Sequence, residues 1–205
     1  MATLALLAVR PNLGGPLDRL RLSFKLDCVN IVLIGLRGTG KTVCGKLLAK
    51  RLRWSFVDTD EVIQERAGMN IREIFAEESE AGFRKREAVV VRETAQGDHT
   101  VIATGGGAIL DVQNVADLRR RGFVVHLVAH PETLWKRISA DPVSASTRPV
   151  LTSTGGLGEL KRLFHDRAGA YCSARDVEVS VEHRAPEQVV SAILLLLRVR
   201  GIHAP

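Results

Sequence analysis

Residues 35–42, Gly35-Leu36-Arg37-Gly38-Thr39-Gly40-Lys41-Thr42, match the pattern G-x-x-x-x-G-K-[ST] and constrain this chain more than any other stretch. The context matters as much as the pattern. VNIVLIG (29–35) is a short, β-branched apolar run of the kind that forms a fully buried strand, and 42–53 then takes up helical spacing, with Val43, Leu47 and Leu48 placed on one face. A strand, a glycine turn and a helix in that order point successive backbone N–H groups into one concavity and add the positive end of a helix dipole. The alternative is a glycine-rich turn with an ordinary surface lysine, which needs neither flanking element. In this setting Gly35, Gly38, Thr39, Gly40, Lys41, Thr42 and Val43 are expected to surround a polyphosphate. Lys41 would reach the outer phosphates and the Thr42 hydroxyl a divalent cation.

A second acidic feature follows at Asp58-Thr59-Asp60, closing the apolar run WSFVDTD (54–60), which reads as the next strand. Ligands of open parallel sheets lie beyond the carboxyl ends of the strands. Carboxylates at i and i+2 of an extended segment project the same way and need compensating partners if buried. The expectation is Asp58 toward Mg²⁺ and Asp60 toward a hydroxyl-bearing acceptor. Capping of the next helix by either acid is the competing role.

The remainder alternates in the same manner. Helical pieces fill 61–96, with Asn70 and Ser79 as N-caps and Gly68 as a C-cap. TVIAT (100–104) runs into Gly105, Gly106 and Gly107; 112–121 is helical; FVVHLVA (123–129) is a strand; Pro131 opens a helix to about Ser139. Residues 140–157 are rich in Ser, Thr, Gly and Pro and read as a loop, 158–174 as one helix, DVEVSV (176–181) as the last strand, and 186–198 as a closing helix. Such alternation predicts an α/β fold with a parallel sheet covered on both faces. One domain over 28–205 is expected, preceded by an extension over 1–27 that is poor in acids and has the breaker cluster PNLGGP. That extension reads as a tail, with a transit peptide as the other reading.

Composition narrows the class of function. The net charge of +6 raises nucleic-acid binding as a possibility, but no basic run is interleaved with aromatics, which make up 4% of residues. Basic residues holding small anions are the better reading. Three widely spaced cysteines, Cys28, Cys44 and Cys172, contain no C-x-x-C and suit a reducing compartment. No apolar run approaches the length of a membrane span. A cytoplasmic monomer without nucleic-acid or membrane partners is expected.

Taken together, GLRGTGKT, FVDTD, GFRKRE, VIATGGGA, TRPVL and HDRAGAY, in that order, resemble the shikimate kinase family from about residue 29 to residue 197. The resemblance implies a three-layer P-loop fold with a five-stranded parallel sheet in order 2-3-1-4-5. It implies transfer of the γ-phosphate of ATP, with Mg²⁺, to the 3-hydroxyl of shikimate in aromatic amino acid biosynthesis. By the same resemblance Lys41, Asp60 and Arg148 are catalytic, and Asp60 contacts the substrate hydroxyls. Arg84 and Arg167 grip the substrate carboxylate, and Gly105, Gly106 and Gly107 contact the substrate. Arg148 sits on a lid at 140–157, and adenine lies between a residue near Arg137 and a segment near Pro186. Guanidinium forks suit a carboxylate, and Glu87, three residues after Arg84, could orient that arginine on a helix. Read without the family, Arg84 and Arg167 could equally be surface charges, and the three glycines a bland loop. Phe75 and Phe83 could wall the ring or be plain core, the core role being favoured for Phe75. The chain departs from the family in its N-terminal extension, in lacking an acid at VIATGGG, in Val150 where leucine is usual, and in the uncharged Gly169 and Cys172.

Two other readings remain: a kinase for another small hydroxy acid such as quinate or gluconate, and a nucleotide-binding module without turnover. The first is disfavoured by Asp60, Arg84 and Arg167, the second by the acid pair.

Overall fold

The structure, a computed structural model, describes residues 30–141 and 156–202. The N-terminal extension, Arg148 and nearly all of the expected lid lie outside the described residues.

Strand β1 (Asn30–Ile34) is buried along its whole length, as its apolar sequence requires, and so must be covered on both faces. It runs parallel to β3 (Thr100–Ala103) on one side and β4 (Gly122–Val128) on the other, with Val32 opposite Ile102 and Val124. Beyond them lie β2 (Ser55–Asp58), paired with β3, and β5 (Val177–Ser180), paired with β4. The order is therefore β2-β3-β1-β4-β5, all parallel, as the resemblance implies.

Eight α-helices surround this sheet among the described residues. Helix α1 (Lys41–Leu52) leaves the glycine loop and packs with α8 (Pro186–Val199) over β3 and β5. Its buried face is Cys44, Leu48, Ala49 and Leu52, whereas Val43 is exposed. Of the expected apolar face, Leu48 is buried and Leu47 packs partly buried against the core, while Val43, the residue nearest the phosphate loop, is left in solvent. Helix α2 (Thr59–Ala67) ends at Gly68, and α3 (Ile71–Ala95) opens with a capping box in which Asn70 Oδ1 accepts from the Glu73 amide while Glu73 Oε2 accepts from the Asn70 amide. At Ser79 (φ 66°, ψ 176°) α3 departs from helical geometry, the boundary expected from sequence. Arg86 bridges this kink with two hydrogen bonds to Glu78, of 2.8 and 2.6 Å. Helix α4 (Val112–Arg121) packs on α3 and β4, and α5 (Pro131–Ser139) begins with proline in its first turn.

The expected single helix over 158–174 is in fact two, α6 (Gly156–Asp166) and α7 (Ala168–Ala174), separated by Arg167 at φ −97°, ψ −2°. Arg167 is buried and its Nη1 donates to the carbonyl of Gly106 at 2.9 Å. This long-range bond coincides with the break and has no signature in the local periodicity.

Apolar side chains form two clusters. The large one joins the sheet to α1, the end of α3, and α4 to α8, while Ile63, Ile71, Ile74, Phe83 and Val90 form a separate small one between α2 and α3. Cys44 is a buried thiol whose pKa burial pushes up to about 11, and Cys172 is exposed; both are free. No described helix is long and apolar enough to cross a membrane.

Candidate active site

The carboxyl ends of β1, β2 and β3 converge on one edge of the sheet, and each delivers one part of the site. From β1 comes the glycine loop. Gly40 adopts φ 84°, a conformation that costs residues with a side chain about 1 kcal/mol or more. It stands as the N-cap of α1 and supplies no side-chain cap, so the leading amides of the helix point out of the protein toward whatever acceptor arrives. Thr39 is buried, its hydroxyl donating to the carbonyl of Leu36 at 2.8 Å. The Lys41 ammonium donates to the carbonyls of Gly35 (2.8 Å) and Leu36 (3.0 Å), which holds the cation over the loop. From β4, Arg137 of α5 braces the same loop, its Nη2 on Val181 O at 2.8 Å and its Nη1 on Gly38 O at 3.5 Å.

From β2 comes the acidic pair, in an arrangement that corrects the extended-segment expectation. Helix α2 begins at Thr59, so Asp60 stands in its first turn and does not share a strand face with Asp58. Asp58 is the N-cap: its Oδ1 accepts from the Asp60 amide at 3.0 Å. Its other oxygen accepts from the Thr42 hydroxyl at 2.6 Å, which brings together the hydroxyl and carboxylate expected at a cation. Thr59, between the two acids, is wholly buried and accepts from the Gly105 amide at 3.1 Å, pinning the β3 loop to α2.

From β3 comes the glycine loop of residues 105–107, and here the absence of side chains is a matter of space. A β-carbon at Gly105 would lie 2.7 Å from both Asp60 Oδ1 and Glu87 Oε1, and one at Gly107 would lie 2.5 Å from Arg84 Nη2. The acids Asp60 and Glu87 thus flank one glycine, and the arginines Arg84 and Arg167 flank the next two. Arg84 donates to Glu87 Oε2 at 2.6 Å and to Glu80 Oε1 at 3.0 Å, the Glu87 bond being the one the three-residue spacing foretells. Burial alone would lower the Arg84 pKa, yet the Glu87 and Glu80 carboxylates hold it above the usual arginine value. Burial pushes the Glu87 carboxyl above its usual 4.5, against the downward pull of Arg84, and Asp60 adds to the upward push. Glu87 is 1% exposed, and its Oε1 has no hydrogen-bond partner among the described residues.

A cleft of about 260 Å³ opens between the phosphate loop and the groups around residues 105–107. Asp60, Arg84, Glu87, Arg167 and the three glycines all face it, together with Leu36 and Arg37 of the phosphate loop. Phe75 and Phe83, in contact at 5.0 Å between ring centres, line it as well as packing into the small cluster, so the two roles weighed for them coexist. The wall opposite is apolar, formed by Trp135 and Ile138 of α5 and Leu160 and Leu163 of α6. None of these four was singled out from sequence; their only signal is apolar helical spacing, which any core helix shares. Pro186 is half-buried at the start of α8 and does not line the cleft.

A parallel sheet with a helix-opening phosphate loop at the switch between β1 and β3, facing an acceptor cleft of acids and arginines, defines a P-loop phosphotransferase. Comparison with known proteins narrows this class: the chain belongs to the shikimate kinase family, whose model matches residues 37–198. A shikimate kinase from Symbiobacterium thermophilum is 46% identical over 173 residues, which cover 84% of this chain and 98% of that protein. The solved structure of a shikimate kinase from Acinetobacter baumannii in complex with shikimate superposes with a TM-score of 0.80 at 32% identity, covering 89% of this chain and 99% of that one. A gluconokinase from Sinorhizobium meliloti shares the fold alone, at 15% identity and a TM-score of 0.53, over 85% of this chain and 94% of that one.

Proposed function

We propose that this chain transfers the γ-phosphate of ATP to the 3-hydroxyl of shikimate. The observation that carries the reading is the pairing of unlike groups around residues 105–107: two arginines against Gly106 and Gly107, two carboxylates against Gly105. A small ring acid with several hydroxyls complements that order. Its carboxylate takes guanidinium donors at one end, and its hydroxyls donate to Asp60 and to the orphaned Glu87 oxygen at the other. Satisfying a buried acceptor of that kind is worth about 1–3 kcal/mol.

The chain's own groups account for the remaining steps. The phosphate loop amides and Lys41 hold the triphosphate, the lysine exchanging its two carbonyl partners for phosphate oxygens. Asp60, facing the cleft, orients the accepting hydroxyl and takes its proton as the new bond forms. The apolar wall of Trp135, Ile138, Leu160 and Leu163 limits water near the reacting phosphorus. Arg148, with the lid at 140–157, is assigned to the phosphates, and Val43 and Pro186 to the nucleotide. An all-oxygen pair, the Thr42 hydroxyl and the Asp58 carboxylate, fits Mg²⁺. Among the described residues no group of three or more His, Cys, Asp or Glu could hold a metal by itself, which suits a cation shared with phosphates. When bound, the ion supplies neutralisation of phosphate charge.

ADP release from ATP and Mg²⁺, measured in turn with shikimate, quinate and gluconate, tests the reading. Shikimate should give the highest kcat/KM; equal or better turnover of another acceptor would overturn it. Asp60→Asn should lower kcat by about 10² while leaving ATP affinity unchanged; lost ATP affinity with kcat kept would remove Asp60 from the acceptor.

A further inference from the structure

Tyr171 stands outside the cleft yet touches what the cleft is built on. Its hydroxyl donates to the carbonyl of Gly106 at 2.7 Å, the same oxygen that receives Arg167 Nη1 at 2.9 Å. Both lone pairs of that carbonyl are therefore in use, one for each donor. Tyr171 follows Arg167 by four residues, and its amide bonds to the Arg167 carbonyl at 2.9 Å, so one turn of α7 presents both side chains to one atom. Gly106 in turn lies against the phosphate loop, where a β-carbon added to it would sit 3.4 Å from Gly35 O and 3.8 Å from the Arg37 amide. One carbonyl thus locates the acceptor loop relative to both Arg167 and the phosphate loop.

What holds Tyr171 itself is specific. Its ring stacks on His126 of β4 with centroids 4.5 Å apart and planes 7° from parallel. Both rings border a second cavity of about 170 Å³ that meets the cleft at Leu36, so close packing does not fix the tyrosine on every side. The stack and the hydroxyl bond do. Burial lowers the His126 pKa against the opposing pull of Glu178, whose Oε2 lies 3.3 Å from Nδ1 but out of hydrogen-bond alignment, so the stack is made by a neutral imidazole. Burial raises the Tyr171 pKa, against the charge of Arg167, which keeps the phenol a donor at any working pH.

We propose that Tyr171 is a positioning residue for the acceptor: by gripping the Gly106 carbonyl it fixes the glycine loop and, through the shared oxygen, the aim of the Arg167 guanidinium. Nothing in the proposal requires Tyr171 to touch substrate. It rests on the acceptor reading given above, with Arg167 receiving the carboxylate.

Tyr171→Phe keeps the ring and its stack and removes one hydrogen bond. It should raise the KM for shikimate about fivefold, as expected for one lost hydrogen bond, and leave the KM for ATP within about twofold. A residue that merely supports the fold would lower the active fraction, and so kcat, without moving one KM apart from the other. In the background of Arg167→Lys, Tyr171→Phe should add less than twofold, because both changes act on one carbonyl. An unchanged KM for shikimate in Tyr171→Phe, or additive effects in the double variant, overturns the proposal. Should Tyr171→Phe fail to melt cooperatively, His126→Gln, which removes the stack and keeps the hydroxyl, must raise the KM for shikimate alone, and an unchanged value overturns it equally. Wild-type protein that turns over ATP with another acceptor but not shikimate overturns the acceptor reading, and this inference with it; turnover of shikimate with an inert Tyr171→Phe overturns the inference alone.

Discussion

The donor side and the acceptor side of the cleft use different materials. On the donor side the glycine loop and α1 are contiguous, and most of what they offer is main chain: amides at a helix start, a lysine resting on two carbonyls, a threonine on Asp58. The acceptor side offers charged side chains gathered from α2, α3 and α7, which are remote in sequence, and seats them against a loop with no side chains of its own. Main-chain amides fit any polyphosphate, whereas four charged groups in a fixed order fit few acceptors. Generality of the donor and selectivity for the acceptor thus follow from backbone on one side and side chains on the other.

Breaking the donor side should have the larger effect. Lys41→Met removes the ammonium that rests on the carbonyls of Gly35 and Leu36 and should lower kcat by about 10²–10³, the usual cost of losing a donor to a developing charge; turnover near the wild-type rate would show that the amides suffice. Breaking the carboxylate-binding part of the acceptor side should be selective and smaller. Arg84→Ala should raise the KM for shikimate by about 30-fold, as for loss of charged hydrogen bonds, with the KM for ATP unmoved. The opposite pattern would place Arg84 on the nucleotide side and erase the contrast.

The smallest effect sharpens the comparison through pH. Burial raises the Glu87 pKa above its usual 4.5, so the folded protein retains a proton that the unfolded chain has released. The contribution is fully present below about pH 4.5 and declines as pH rises through the raised folded value. Glu87→Gln removes this titration. The melting temperature of the variant minus that of wild type should therefore become more positive as pH rises from about 4.5 to about 8. A constant difference would mean that Arg84 fully offsets the burial of the carboxylate.

The same contrast governs what could be read from the residues. The phosphate loop, the five strands and their order were legible because each depends on a run of neighbours, and on a resemblance carried by separated motifs. The Asn70 cap and the break at Ser79 were legible for the same reason. Asp60 was placed on a strand because the extended reading was preferred to helix capping, the competing role that Asp58 in fact fills. The division of α6 from α7 was missed because it coincides with a bond from Arg167 to a glycine 61 positions away. Val43 was put on a buried face because apolar type outweighed position. Tyr171, present in HDRAGAY, and Thr59, present in FVDTD, carried no signal of their own, since their partners are carbonyls and amides that folding brings near.

The small cluster of Ile63, Ile71, Ile74, Phe83 and Val90 is separate from the main core, and the kink at Ser79 falls between its members. The phosphate loop's own helix places Cys44, Leu48, Ala49 and Leu52 in the main core, whereas α2 and the start of α3 place no buried apolar side chain there. Local opening there has a lower free energy than global unfolding. Backbone amides of this flank should trade their hydrogens for deuterium ahead of those in β1. Substitutions within it would loosen the grip on the small acid while the scaffold beneath the triphosphate remains intact.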